Sequence, residues 1–234
     1  MSVMRNISNQ IVLTMNILLI FVVPLFLITS DVRIAFNSLM LYEYGFDKYD
    51  VANQTGLNME ELKEIASDIK NYFNSDYEFL DIKITVDGGQ IDLFNKKEIS
   101  HMKDVKDILS RMNKIQEISG IYIVVCLLLA TTRNKLRWPH AFVGSILRGC
   151  LVTLLLVLCA AVGIVLGFDS LFIKFHIMFF ESGTWAFDPR TNYLTRLFTE
   201  GFFMESSLLI GISVFIQASM IYFGLWILKI RLMN

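Results

Sequence analysis

Charge is scarce in this sequence, and the familiar catalytic motifs are missing from it. Charged residues make up 18% of the 234 residues and hydrophobic residues 54%, whereas a soluble domain carries about a quarter charged residues. No GxSxG, HExxH, EF-hand or CxxC pattern occurs, and there is no glycine-rich phosphate loop, so the sequence points to none of the standard sites that these motifs mark. The net charge of −1 gives no reason to expect nucleic acid as a partner.

Cysteines are also few, and all three fall within long apolar segments. They are Cys126, Cys150 and Cys159. A structural disulfide or a cysteine nucleophile in the loops between those segments is therefore excluded. We interpret the three thiols as small apolar packing residues.

Four apolar segments predict transmembrane helices, at about 11–28, 118–132, 145–166 and 206–228. At about 1.5 Å per residue each covers roughly 30 Å of hydrocarbon, the second with the help of a few flanking residues. No small-x-small cleavage site follows the first segment, so we interpret it as a retained anchor. The sequence thus predicts a mainly α membrane protein, with residues 1–234 forming a single integral-membrane domain.

Basic and acidic residues are separated along the chain, and this separation predicts an orientation. Every acidic residue lies in segment 30–117 or segment 168–205. The ends of the chain and the short link between the second and third spans carry only basic residues, which is the positive-inside pattern. We expect a multi-pass protein of the cell membrane, with both termini cytoplasmic and both large segments on the outer face. The basic residues in question are Arg5, Arg133, Lys135, Arg137, Lys229 and Arg231.

The outer segment 30–117 predicts a small extracytoplasmic α+β cap. Asn58 and Glu61 form a capping-box pattern that begins an amphipathic helix ending near Phe73. Residues 79–95 then alternate apolar and polar side chains around the turn residues 87–89, which predicts a β-hairpin. A two-stranded sheet is marginal alone, so we expect the hairpin to pack on the helix or lie against the membrane.

Two aromatic stretches are typical of a membrane–water interface. One follows the first span and contains Tyr42, Tyr44, Phe46 and Tyr49, which we interpret mainly as interfacial anchors. The other is the outer segment 168–205, where charged residues interrupt a run of phenylalanines. It predicts interfacial aromatic helices, the first ending near residue 180 and the second beginning near residue 191.

Three histidines are the candidates for chemistry. His140 lies beside arginines on the cytoplasmic side, and we interpret it as an interfacial residue. His101 and His176 both fall on the outer side, close to a membrane boundary, so topology can bring them together. A general base must be able to reach the proton that it takes. The residues alone leave a structural and a catalytic role open for this pair.

The surroundings of His101 in sequence bear on its charge. We expect a helix to begin at Ser100, which would place His101 at the first helical position, where the macrodipole favours the neutral ring. Asp104 lies one turn on, and it would favour the charged ring and fix the tautomer. Neither HMKD nor FHIMFFE has a familiar ligand spacing, so no metal site is predicted.

Two histidine-containing blocks carry a family resemblance. HMKDVKDIL at 101–109 and FHIMFFESGTWAFDP at 175–189 resemble the signature blocks of the integral-membrane lipoprotein intramolecular transacylase family. Segments 41–50 and 197–203 resemble weaker blocks, and the resemblance covers most of the chain. Thr199 departs from the family, whose members often have proline there, and this affects how the last outer helix meets the span.

The resemblance implies an acyltransferase. Its substrate would be a diacylglyceryl-modified bacterial lipoprotein, and the sn-2 acyl chain would move from the glyceryl oxygen to the α-amino group of the N-terminal cysteine to give the lyso form. The two family histidines correspond to His101 and His176. No cofactor is implied, and membrane phospholipids are the other expected partner.

That reaction assigns roles to the candidate residues. The amine and the ester belong to one molecule, so the enzyme mainly has to bring them together. We expect His101 to take the amine proton and His176 to act as the acid, with the reverse kept open. Lys106 or Arg190 would stabilise the oxyanion, or else bind headgroups or pair with nearby carboxylates, and Trp185 would border the acyl chains. The predicted substrate-binding residues are Asp104, Lys106, Trp185, Asp188 and Arg190.

Two other functions stay open on the residues alone. A lipid hydrolase or intermolecular acyltransferase would form an acyl-enzyme on His176, Ser100 or Ser182, and a trapped adduct would identify it. A non-catalytic membrane module would bind a ligand or partner through the cap and tolerate changes at both histidines. The sequence leaves the oligomeric state and the preferred lipoproteins open.

Overall fold

The computed structural model describes residues 2–86, 88–132, 137–181 and 183–233. Four residues that the predictions above include lie outside this range: Asp87 in the hairpin turn, Arg133 and Lys135 in the basic link, and Ser182. Within it the chain is mainly helical, with one small sheet. The elements are α1 (Ser2–Asn37), α2 (Leu39–Lys48), α3 (Val51–Thr55), α4 (Met59–Phe73), β1 (Lys83–Val86), β2 (Gly89–Asp92), α5 (Lys96–Thr132), α6 (Arg137–Phe179), α7 (Tyr193–Leu197) and α8 (Glu200–Met233).

Among the described residues, four helices are long and apolar enough to cross a membrane: α1, α5, α6 and α8. Each contains one predicted span, so the four-span prediction is confirmed. The 37 residues of α5 correspond to about 55 Å, against a hydrocarbon thickness of about 30 Å. The apolar part of α5 at 118–132 accounts for the crossing, and the polar first half of this helix precedes the span.

Helix α6 is interrupted where the third span was predicted to end. Gly167 has non-helical dihedral angles, φ 177° and ψ 67°, inside the helix. Residues 168–179 therefore form a separate helical stretch after the span, which we call the outer segment of α6. This agrees with the short aromatic helix expected after residue 168.

By their internal contacts, the residues of the chain form two compact units. The membrane unit comprises Met1–Val32, Met112–Val162 and Ile210–Asn234, and the cap unit comprises Arg33–Arg111 and Gly163–Leu209. The core of the membrane unit is an apolar cluster from its four helices: Leu19, Val23, Leu27, Cys126, Ile146, Cys150, Val214 and Ala218. Two of the three cysteines are thus packing residues, as expected.

Close helix packing and hydrogen bonds fasten the membrane unit. A Cβ atom at Gly149 would lie 2.8 Å from Cβ of Val23, so the glycine lets α6 and α1 approach closely. The Asp31 carboxylate on α1 is buried and accepts hydrogen bonds from the Ser213 hydroxyl at 2.7 Å and from the Gln217 amide at 2.9 and 2.8 Å. This carboxylate ties α1 to α8.

Helix α4 of the cap unit begins as its sequence predicts. The Asn58 side chain accepts hydrogen bonds from the backbone N–H groups of Glu60 and Glu61, and the Glu61 carboxylate accepts one from the Asn58 N–H at 2.8 Å. The capping box is therefore present. The apolar stripe of the helix is buried in the cap core through Leu62, Ile65 and Ile69.

The predicted hairpin is present and packs in the same core. Strands β1 and β2 are antiparallel, with Ile84 opposite Ile91 and Val86 opposite Gly89. The expected turn at 87–89 is one residue too long, because Gly89 already belongs to β2. Gly88 has φ 79°, a conformation that glycine adopts without steric cost. Buried Ile84 shares the core cluster with residues of α4.

Helix α2 contains aromatic residues that were predicted to be interfacial anchors, and two of them are buried instead. Tyr42 and Phe46 are 4% and 1% exposed, and both rings contact the ring of Phe198. A Cβ at Gly45 would overlap the ring of Phe202. These two aromatic residues belong to the cap core, so their assignment as anchors was wrong, while Tyr44 on the same helix is 44% exposed.

Candidate active site

His101 lies in the second turn of α5. The expected helix start at Ser100 is wrong, because Asn95 caps a helix that begins at Lys96. The Asn95 side chain accepts from the N–H groups of Lys97 and Glu98, at 2.9 and 3.1 Å. His101 is thus the sixth residue of the helix, and the macrodipole, which acts within the first turn, no longer explains its charge state.

His176 lies in the outer segment of α6, and the helix itself orients its ring. Its Nδ1 atom lies 2.7 Å from the backbone carbonyl oxygen of Phe172, one turn earlier. A carbonyl oxygen can only accept, so Nδ1 carries the hydrogen. In the neutral ring the lone pair is then on Nε2.

The fold brings the two predicted histidines together. Their ring centroids are 6.0 Å apart, and the ring planes are inclined by 23°. The two residues are only 7% and 8% exposed. They lie 75 positions apart in sequence, on α5 and α6.

Aromatic rings surround the pair. The ring of Phe180 lies 4.6 Å from the ring of His101 and 5.3 Å from that of His176, measured between centroids. Phe187 is 5.5 Å from His101, and Trp185 is 4.8 Å from His176. The histidines therefore share a largely apolar environment, in which a charged imidazolium is poorly solvated.

Burial consequently lowers the basicity of both rings. Burial, followed by the neighbouring His176 and then Lys97, lowers the pKa of His101 from 6.5 to about 4. Burial also lowers the pKa of His176, and there the hydrogen bond to Phe172 opposes the effect. Burial therefore favours the neutral form of both rings.

One nitrogen of the pair is unsatisfied. Nδ1 of His101 is buried and has no hydrogen-bond partner among the described residues. The expected contact with Asp104 is therefore not made at this nitrogen. A buried polar atom without a partner costs about 1–3 kcal/mol, so this position requires an explanation beyond packing.

Among the predicted substrate-binding residues, Trp185 packs against the pair, with its ring 4.8 Å from that of His176. Lys106 donates to the backbone oxygen of Tyr77 at 2.6 Å. Arg190 forms a two-pronged hydrogen bond with Asp188, at 3.1 Å from Nε and 2.7 Å from Nη2 to Oδ2. Both cations are engaged with groups other than the histidines.

The remaining candidates lie elsewhere. His140 is exposed, in keeping with an interfacial position. Ser100, proposed above as an alternative nucleophile, is exposed on α5. Within the described ranges, no three histidine, cysteine, aspartate or glutamate side chains converge so as to hold a metal ion.

Two residues near the pair escaped the sequence analysis. Glu98 is 1% exposed, and its carboxylate accepts from the Asn95 N–H at 2.9 Å and from the Leu194 N–H at 2.8 Å. Lys97 donates to the carbonyl oxygen of Ala186 at 2.7 Å. The Asn95-x-x-Glu98 spacing is the signal that would have placed the helix start correctly, since it repeats the pattern recognised at Asn58 and Glu61.

The sequence matches the family described as lipoprotein intramolecular transacylase Lit over residues 17–203. The chain belongs to this family. The matched range contains both histidine blocks, 101–109 and 175–189. No curated protein gives a significant match to the sequence.

The transacylase fold is also found among solved structures. An in meso structure of the membrane integral lipoprotein intramolecular transacylase Lit from Bacillus cereus is similar with a TM-score of 0.77 and 18% identity, over 97% of this chain and 100% of that chain. A structure of that protein with a histidine-to-alanine mutation gives 0.77 and 17%, over 98% and 99%. One with a histidine-to-arginine mutation gives 0.69 and 20%, over 98% and 99%.

Family membership fixes the reaction class. The transacylase is a membrane-integral acyltransferase that acts on bacterial lipoproteins. It moves the sn-2 acyl chain of the diacylglyceryl group to the α-amino group of the N-terminal cysteine, which leaves the lyso form. The expected fold class, a mainly α membrane protein with four membrane helices and a small two-stranded sheet, is confirmed.

Proposed function

We propose that His101 and His176 are the catalytic residues of this acyl transfer. The observation that carries the proposal is their juxtaposition, with ring centroids 6.0 Å apart in an apolar, buried environment. Acyl transfer to an amine requires a group that removes a proton from nitrogen and a group that stabilises the oxyanion. Two neutral imidazoles, one accepting and one donating, supply both.

His176 is the better candidate for the base. Its Nδ1–H group donates to the carbonyl of Phe172, so Nε2 keeps its lone pair. A base with a pKa of about 4, like that of His101, would take a proton from an amine with a pKa of about 8 at a cost of roughly 5 kcal/mol. The sequence-based preference for His101 as base is therefore reversed.

His101 fits the role of a neutral hydrogen-bond donor. Its lowered pKa keeps the ring uncharged near pH 7, and a neutral imidazole N–H can polarise a carbonyl group. Its Nδ1 atom has no partner among the described residues. We assign this side of the ring to the ester carbonyl of the substrate, which would satisfy the buried nitrogen as the oxyanion develops.

The proposed steps balance in atoms and protons. The cysteine amine attacks the sn-2 carbonyl carbon, a C–N bond forms, and Nε2 of His176 takes the proton from nitrogen. The resulting oxyanion accepts a hydrogen bond from His101. The C–O bond to glycerol then breaks, and His176 returns its proton to the leaving glyceryl oxygen. The products are an N-acyl amide and a free sn-2 hydroxyl group.

The residues around the pair suit an amphipathic substrate. Trp185, in contact with His176, would border the acyl chains. The outer segment of α6 exposes apolar side chains that would contact membrane phospholipids: Leu171, Ile173, Phe175, Ile177, Met178 and Phe179 are between 41% and 75% exposed. Lys106 and Arg190 are assigned to the headgroup region rather than to the oxyanion, because each is bonded elsewhere. Asp104 and Asp188 would flank them.

The distribution of charge supports an active site on the outer face of the membrane. All acidic residues lie in 30–117 or 168–205, the two segments that contain His101 and His176, whereas the basic link 133–137 contains none. By the positive-inside rule, this distribution favours a cytoplasmic position for both termini.

Mass spectrometry of the N-terminal lipopeptide tests the proposal. Wild type and the His101→Ala, His176→Ala and His140→Ala variants are expressed with one lipoprotein in a host that lacks other N-acylating enzymes. Because intramolecular transfer leaves the intact mass unchanged, fragment ions must locate each acyl chain. We expect N-acyl lyso-lipoprotein with wild type and His140→Ala, and the diacylglyceryl form with a free amine with the other two.

The outcomes that contradict the proposal are distinct. Normal transfer by both variants at His101 and His176 would exclude the pair. Loss of one acyl chain from the lipopeptide would indicate hydrolysis, and a covalent acyl adduct on the protein would indicate an acyl-enzyme.

A further inference from the structure

We infer that Glu98 is a positioning residue, which holds segment 185–194 on the helix that carries His101 and thereby sets the geometry of the histidine pair. The inference rests on the proposed role of His101 and His176. Glu98 is the one described glutamate with an exposure as low as 1%, and it lies one turn before His101 on α5.

Glu98 joins two separate elements through backbone groups. One carboxylate oxygen accepts from the Asn95 N–H at 2.9 Å and completes the capping box of α5. The other accepts from the Leu194 N–H at 2.8 Å, near the start of α7. Hydrogen bonds to a carboxylate are stronger than those between two neutral groups, so Glu98 binds the backbone N–H groups of Asn95 and Leu194 strongly.

Helix α7 depends on this distant carboxylate. Its own N-cap residue, Asn192, makes no side-chain capping hydrogen bond. Instead, the Asn192 side chain accepts from the Asp188 N–H at 3.0 Å, within the preceding turn. Glu98 supplies the acceptor that a local cap would otherwise provide.

A second contact fixes the other end of the segment. Lys97 donates to the Ala186 carbonyl at 2.7 Å and lies 5.0 Å from the centre of the Phe187 ring. Phe187 lies between these two anchors and packs against His101, while Trp185, one residue before the Ala186 anchor, packs against His176. Release of the Glu98 contact would let these rings move and expose the histidines.

The chain contains a matched control for the capping function. Glu61 completes the capping box of α4 in the same way, accepting from the Asn58 N–H at 2.8 Å, but this hydrogen bond is exposed and lies within one helix. Asn95→Ala offers a second control, since it removes the cap of α5 and leaves the bond from Glu98 to Leu194 in place.

The experiment compares Glu98→Ala and Glu98→Gln with Glu61→Ala and Asn95→Ala in the full-length transacylase in lipid. Transfer is measured with a synthetic diacylglyceryl lipopeptide. The accessibility of Trp185 is measured by acrylamide quenching in a Trp138→Phe, Trp226→Phe background. We expect Glu98→Ala to lower kcat about 100-fold with KM changed about twofold at most, the size of effect that misplacement by about 1 Å produces.

The Glu98→Gln variant distinguishes loss of the hydrogen bonds to Asn95 and Leu194 from a general loss of folding. It keeps the size of the side chain and one of the two acceptors, so we expect Glu98→Gln to recover part of the lost rate. Quenching of Trp185 should rise in both Glu98 variants and stay at the wild-type level in both controls. Folded yield by size exclusion normalises each rate.

Three results would overturn the inference. They are wild-type transfer by Glu98→Ala, an equal loss of rate in Asn95→Ala, and a loss of rate without any change in Trp185 quenching. If instead the His101→Ala and His176→Ala variants transfer normally, the proposed catalytic pair fails, and the Trp185 measurement still tests whether Glu98 holds the segment.

Discussion

Replacing His176 by asparagine is the sharpest test of the base assignment. The change removes the proton acceptor Nε2, while the asparagine amide can replace Nδ1 as the donor to the Phe172 carbonyl oxygen. Asparagine amides on the helices of this protein donate to the carbonyl four residues earlier: Asn16 to Val12 at 2.9 Å and Asn37 to Arg33 at 2.7 Å. His176→Asn can donate to the Phe172 carbonyl in the same way. The variant therefore keeps its helical contact and loses the proton acceptor.

The expected effect on rate follows from the role of a general base. Such a group contributes about 10²- to 10⁴-fold, which corresponds to roughly 3–5 kcal/mol of barrier. The smaller side chain also loses ring contacts with Phe172, Phe180 and Trp185, whose centroids lie 4.2, 5.3 and 4.8 Å away. We expect this loss to destabilise the fold by about 1–3 kcal/mol, too little to account for the fall in rate.

The assay separates chemistry from folding. Single-turnover transfer on a diacylglyceryl lipopeptide is followed by fragment ions that locate the acyl chain, and thermal unfolding is followed by loss of monodispersity. His140→Asn makes the same chemical change at an exposed histidine and serves as the control. A folded His176→Asn protein that transfers within about tenfold of the wild-type rate would place the base elsewhere.

Three further predictions concern charge and packing. Burial lowers the pKa of His101 from its ordinary value of 6.5 to about 4, so between these pH values the unfolded chain binds more protons than the folded one, and stability falls as pH is lowered. We expect the NMR titration of His101 to have its midpoint below pH 5, and thermal unfolding of His101→Gln to depend less on pH than that of the wild type. A midpoint near 6.5 would contradict the burial argument. Gly45→Ala should lower the free energy of unfolding by about 1–3 kcal/mol, because its Cβ would overlap the Phe202 ring. Gly144→Ala is the control and should be close to neutral, since nothing lies within 4 Å of the added atom. Equal melting temperatures for the two variants would contradict the overlap. Asp31→Ala should cost about 1–3 kcal/mol, because the Ser213 hydroxyl loses its carboxylate acceptor and the Gln217 amide is left with its bond to Ser213. The double variant Asp31→Ala, Gln217→Leu should recover part of this loss in the same unfolding assay.

Local patterns predicted the elements of the fold well. Hydropathy located all four membrane helices, because a span must satisfy its backbone internally and expose apolar side chains to lipid. The Asn58 and Glu61 pair located the start of α4, since a capping box acts within four residues. The alternation in 79–95 located the hairpin but not the length of its turn, because Gly89 fits either a turn or a strand end.

Features that depend on contacts between distant residues were predicted less well from the sequence. Both Asn95 and Ser100 are suitable N-cap residues, and the overlooked capping-box spacing of Asn95 and Glu98 favours the earlier one. The further hydrogen bond that Glu98 accepts from Leu194, 96 positions away, has no signal in the sequence. Likewise, Tyr42 and Phe46 look like interfacial aromatics in sequence, and only their contacts with Phe198 show that they are core residues.

With the catalytic role proposed above for the pair, its aromatic surroundings would favour transfer over hydrolysis. Histidines that are 7% and 8% exposed among phenylalanine rings offer little room for a competing water molecule. The amine needs no separate binding site, because it belongs to the same lipopeptide as the ester and reaches it at high effective concentration. The same apolar packing lowers the pKa of His101 and so favours its neutral form. One feature, the packing of Phe180, Trp185 and Phe187 on two imidazoles, would thus favour both the protonation state and the nucleophile that the proposed mechanism requires.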